Sequence, residues 1–85
     1  MKLVHRAYLK LAATEYGAVL LDTRSGGYWQ LNPTSATIVG VLLDGGRAED
    51  AVRRLTEEYD VDAERAAADV DTVLAAMAEA GVVAA

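Results

Sequence analysis

The spacing of apolar positions changes once along the chain, from a period near two before residue 32 to spacings of three and four after it. Residues 7–13 (AYLKLAA) set Tyr8 and Lys10 against Leu9 and Leu11, the alternation of a half-buried strand, weakened by the alanine pair. Residues 14–17 turn the chain. Residues 18–23 (AVLLDT) make a stronger strand, apolar until Asp22 closes it, and residues 28–31 (YWQL) resume aromatic and aliphatic strand character. Between the last two, Arg24, Ser25, Gly26 and Gly27 tolerate positive φ, which predicts a hairpin.

Helical spacing begins at Asn32-Pro33. Asn accepts a hydrogen bond from a free helix N–H, and Pro at the first helical position loses nothing by lacking one. A helix over Pro33–Leu43 follows, with Ile38, Val39, Leu42 and Leu43 as its stripe and Gly45-Gly46 as its stop. A second, over residues 48–59, places Ala48, Ala51, Val52, Leu55 and Tyr59 on one face, with Glu49 and Asp50 near its positive end. Arg47 is a poor cap, so that start is weakly marked. Asp62 caps a third helix running to about Ala80 and stopped by Gly81, with Ala66, Val70, Val73, Leu74 and Met77 as its stripe. The closing Val82-Val83 either packs back or frays. Three strands followed by three helices predict an α+β fold, its helices gathered on one side of an antiparallel sheet.

Eighty-five residues imply one domain spanning 1–85. A domain this small buries only about 60 to 65% of its unfolded surface, so a groove or sheet edge is a more natural working surface than a deep cavity. Cysteine is absent, which removes disulfides and thiolate metal sites and fits a reducing cytoplasm. The longest apolar-plus-glycine run, residues 38–43, is far short of the roughly 18 residues of a membrane span, and no signal-peptide core precedes it. A net charge of -5 is unevenly spread: residues 1–43 carry four basic and two acidic side chains, residues 44–85 four basic and eleven acidic. The C-terminal half would repel a phosphate backbone, so neither nucleic acid nor membrane is an expected partner.

Catalytic chemistry finds little support. His5, the one histidine, has no acid or serine partner visible in the sequence and reads as a surface or edge side chain. Asp69 and Asp71, two apart on a helix, point in different directions and read as a solvated face. No metal-ligand cluster of recognised spacing is present, and the glycines of SGG and DGG lie in turns between like elements, not in a strand-to-helix phosphate loop. The expectation is a non-enzyme without a cofactor.

The run GAVLLDTRSGGYWQLNPT (residues 17–34), the LLDGG turn (42–46), the AxDVD pattern (67–71) and the AGV that follows (80–82) resemble the PqqD-like precursor-recognition family. More narrowly they resemble the stand-alone leader-binding proteins of lasso peptide biosynthesis. Arg47 departs from the family, where a small capping residue is usual. The resemblance implies a winged helix-turn-helix-like fold that binds the unfolded leader of a ribosomally made precursor as an added strand beside the third strand, next to the third helix. It also implies separate partners, a leader peptidase and an ATP-dependent cyclase.

Physically, such binding needs an unpaired strand edge where an extended peptide can satisfy its N–H and C=O groups while alternate side chains fill pockets. Gly27, Tyr28, Trp29, Gln30 and Leu31 offer that edge, and Arg65, Ala66, Asp69, Val70, Val73, Leu74 and Met77 line the other wall. Core packing explains Val70, Val73, Leu74 and Met77 equally well. Of Tyr28 and Trp29, which face opposite sides, the sequence leaves open which meets the groove. Asp69 pairs with a basic residue of the peptide or is simply solvated. Three rivals stand beside this reading: a winged-helix DNA-binding regulator, a leader-binding partner of a radical-SAM enzyme, and a dimerisation module.

Overall fold

The computed structural model describes residues 2–4 and 6–84. In chain order it contains β1 (Lys2–Leu3), a 3-10 turn (Arg6–Tyr8), β2 (Leu9–Thr14), β3 (Gly17–Asp22), β4 (Tyr28–Leu31), α1 (Pro33–Leu43), α2 (Ala48–Glu58), α3 (Ala63–Glu79) and β5 (Val83–Ala84). The expected α+β order is present: β2, β3 and β4, the three strands read from the sequence, form an antiparallel sheet in that order and three helices follow. His5 lies outside the described residues.

Two differences from the sequence reading concern the N-terminus. Ala7 and Tyr8, expected in the first strand, belong to the 3-10 turn, from which the Arg6 guanidinium donates to the Leu43 carbonyl at the end of α1. The Tyr8 carbonyl already accepts the Thr23 N–H and hydroxyl, each at 2.9 Å, so the ladder continues directly into β2. The second difference is a small sheet that periodicity did not announce, in which β1 pairs antiparallel with β5 and Leu3 lies opposite Val83. Val82-Val83 thus packs back.

Alternation along the strands sorts the sheet into two faces. Leu9, Ala18 and Leu20 are buried on the inner face, with Leu11, Trp29 and Leu31 in register beside them. Lys10, Leu21 and Tyr28 form a row on the outer face. Beneath the inner face runs α1, whose Ile38 and Val39 are fully buried and which touches β3, β4, α2 and α3. Ala51 and Leu55 of α2, and Ala66, Val70 and Met77 of α3, complete the core.

The caps follow side-chain chemistry. Asn32 accepts the Ser35 N–H at 2.8 Å ahead of Pro33, and Asp62 accepts the Arg65 N–H at 2.8 Å. At α2 the Arg47 side chain makes no capping bond; Asp50 instead accepts the Arg47 backbone N–H at 2.8 Å, the reciprocal half of a capping box. That bond first, and the Arg53 and Arg47 guanidinium charges after it, hold the Asp50 carboxyl below its ordinary pKa. Buried Asp22 accepts the N–H groups of Arg24 (2.9 Å) and Ser25 (3.3 Å), which shapes the turn into β4.

Candidate functional site

Among the described residues β4 pairs only with β3, which leaves its other flank open. Which backbone groups face that flank follows from the ladder. Asp22 donates its N–H to the Gly27 carbonyl at 2.9 Å, so Asp22 and Gly27 form a hydrogen-bonded pair. Such pairs alternate along an antiparallel ladder, so Leu20 with Trp29 and Ala18 with Leu31 are bonded in the same way. Tyr28 and Gln30 fall between them. Their N–H and C=O groups point away from β3, an open row of two donors and two acceptors.

Side chains follow the opposite logic. Trp29 shares the inner face with buried Leu20, while Tyr28 is 65% exposed on the outer face. The tryptophan is therefore the aromatic that faces the helices. Its indole folds back over Gly27, where an added methyl would lie 3.2 Å from the ring; a side chain at residue 27 would force the ring to shift.

Between β4 and α3 lies a cleft of about 260 Å³. Trp29, Gln30 and Leu31 form one wall. Thr72, Val73, Ala76, Met77 and Ala80 form the other, Leu20, Ser35 and Val39 contribute from β3 and α1, and Val82 joins the lining just beyond α3. The lining is overwhelmingly apolar, with the Ser35 and Thr72 hydroxyls as its polar side-chain groups, since Gln30 alternates with Trp29 and shares the outer face with Tyr28. Thr72 is committed to the Ala68 carbonyl at 3.0 Å. An open backbone row beside an apolar cleft has the two features that recognition of an extended chain by strand addition requires, free main-chain partners and pockets for alternate side chains.

Of the residues singled out from sequence, Trp29, Gln30, Leu31, Val73 and Met77 border this cleft. Tyr28 lies on the same edge but directs its side chain outward, and Gly27 sits just before it. Ala66 and Val70 are buried in the core, and Leu74 packs half-buried against it. Arg65 and Asp69 pair with each other at 3.6 Å along α3, the arginine largely exposed, and neither borders the cleft.

The sequence reading missed Leu20, Ser35, Val39, Thr72, Ala76, Ala80 and Val82. A signal existed for three of them. Thr72, Ala76 and Ala80 repeat every four residues, so they stack on one helix face, and small side chains there leave the space beside the helix unfilled.

Other chemistry is sparse. Among the described residues no group of three or more His, Cys, Asp or Glu side chains gathers to hold a metal ion, and no helix is long and apolar enough to cross a membrane.

Comparison with known proteins bears on this groove. The family model for coenzyme PQQ synthesis protein D (PqqD) matches residues 17–83, from β3 to the start of β5. The structure described as lasso peptide synthetase B1 complexed with the leader peptide is 43% identical, covers 96% of each chain and superposes with a TM-score of 0.76. That of TbiB1 in complex with the TbiA(beta) leader peptide is 28% identical, covers 96% of this chain and 93% of the other, and has a TM-score of 0.80. Among curated proteins none matches.

Proposed function

The chain belongs to the PqqD family, a family of non-catalytic recognition elements, and from that premise we propose that it captures the leader segment of a ribosomally synthesised precursor peptide, that of a lasso peptide. The leader adds as a strand to β4, with its backbone on the open row of Tyr28 and Gln30 and its alternate side chains in the cleft against Val73, Ala76 and Met77. A leader peptidase and a cyclase then act on the peptide held in this way. The observation that carries the reading is the unpaired flank of β4 standing over an apolar cleft, in a fold whose 43% identical counterpart was solved with a leader peptide.

Capture alone is enough for such a role. A disordered leader loses chain entropy as it docks, so affinity per unit of buried area is modest. Tethering nevertheless raises the precursor's local concentration near its enzymes to the order of millimolar, and turnover rises without any change in the chemical step.

Fluorescence polarisation with a labelled leader from the adjacent precursor gene tests this directly. The unaltered protein should bind saturably. Ala76→Glu puts a charge into the cleft at an exposed helix position, where folding tolerates it, and should weaken binding by about tenfold or more, equivalent to about 1.4 kcal/mol. Absence of saturable binding by the unaltered protein would refute the assignment, and unchanged affinity of the variant would move the peptide elsewhere.

A further inference from the structure

Val82 lines the cleft just beyond the C-terminus of α3, yet it belongs neither to the three-stranded sheet nor to the helices that make the rest of it. Backbone bonds on both sides put it there. Its N–H donates to the Met77 carbonyl at 2.8 Å and the Gly81 N–H to the Ala78 carbonyl at 3.1 Å, the two bonds of a Schellman ending of α3, with Gly81 at φ +80°. Its carbonyl accepts the Val4 N–H, also at 2.8 Å, and the chain then enters β5, where Leu3 of β1 lies opposite Val83. Val82 and Val83 are 3% and 7% exposed, and half-buried Leu3 packs against the same core. The first few residues therefore hold in place a lining residue of a groove whose other walls begin at Leu20, sixteen positions along the chain from Val4.

A ribbon of two-residue strands has little stability of its own and opens at a lower free energy than the core beneath it. Whatever packs against Val82 from the cleft side favours the closed ribbon, and by linkage the closed ribbon favours whatever packs there. We propose that the β1–β5 ribbon is a positioning element for peptide binding: by fixing Val82 in the cleft lining it couples the pairing of residues 2–4 to occupancy of the cleft. This rests on the peptide-binding reading above and adds to it that a segment without peptide contact sets the affinity.

Two measurements on the full chain test the coupling. In hydrogen exchange, saturating leader peptide should slow the Val4 amide by about fivefold or more, the lower end of ordinary coupling. The Thr23 amide, bonded to the Tyr8 carbonyl beside β2, is the control and should not change. The Val4→Pro variant lacks the donor to Val82 while its ring suits the extended Leu3 before it, and should bind leader about fivefold or more weakly with its helical circular dichroism intact. A Val4 amide indifferent to peptide, equal slowing at Thr23, or a folded Val4→Pro variant binding like the unaltered protein would each overturn the proposal. If the unaltered protein binds no leader, the functional reading itself fails and this inference goes with it.

Discussion

At Gly17, a methyl group added to the backbone would lie 2.0 Å from the Leu31 carbonyl oxygen and about as close as contact permits to Asn32. Neither atom can yield, because Leu31 is bonded to Ala18 through the ladder and Asn32 caps α1. Gly17→Ala should therefore separate β3 from the end of β4 and cost about 1 to 3 kcal/mol, as overpacking against fixed atoms does. Urea denaturation would read this as a lower midpoint at unchanged slope; an unaltered midpoint would mean that β4 gives way freely. Residue-scale detail of this sort was only partly legible. Asn32 and Asp62 announced their caps by type. The start of α2 at Ala48 was read without a cap to mark it, because its bond comes from Asp50, three positions inside the helix, while the residue at the cap itself, Arg47, has no acceptor to offer.

Elements with a clear period were read from sequence and those without one were not. Ile38, Val39, Leu42 and Leu43 stood out at helical spacing because α1 is buried along that stripe, and each is in the core. β1 and β5, two residues each, are too short to have any alternation and are defined by their pairing with each other, Leu3 opposite Val83. For the candidate groove, the sequence reading named the strand and the helix that border the cleft, but only part of its α3 stripe lies there. Ala66 and Val70 share a stripe with Val73 and Met77, yet the helix leans on the core at one end and stands away from β4 at the other, and spacing alone carries no such information. The strand permits a sharper test. Gln30 aims its N–H at the open flank, so Gln30→Pro removes a donor that β3 does not use, and edge strands accept proline at such positions. Thermal stability should change little while leader affinity falls by about tenfold, the loss of one main-chain bond together with the ring's obstruction of the flank. Affinity surviving that change would argue against strand addition even with the cleft confirmed by Ala76→Glu.

Over the whole molecule, charge separates what the fold alone leaves ambiguous. Three strands and three helices also suit a DNA-binding regulator, in which a helix such as α3 would enter the major groove with cationic or amide side chains toward the bases. Here α3 and its cap carry Asp62, Glu64, Asp69, Asp71 and Glu79 against a single Arg65, and that arginine is drawn to Asp69. The segment from residue 44 onward holds eleven of the thirteen acidic side chains, so the helical side of the molecule presents the wrong sign to phosphate along most of its length. An electrophoretic mobility shift with mixed-sequence duplex at low salt, where counterion release would favour any basic surface most, should show no complex at micromolar protein. A complex that weakens steeply as salt is raised would count the phosphates engaged through its slope. It would require a cationic surface formed by Lys10, Arg24 and their neighbours on the sheet side, which would compete with the peptide for β4, so adding leader should then displace the duplex.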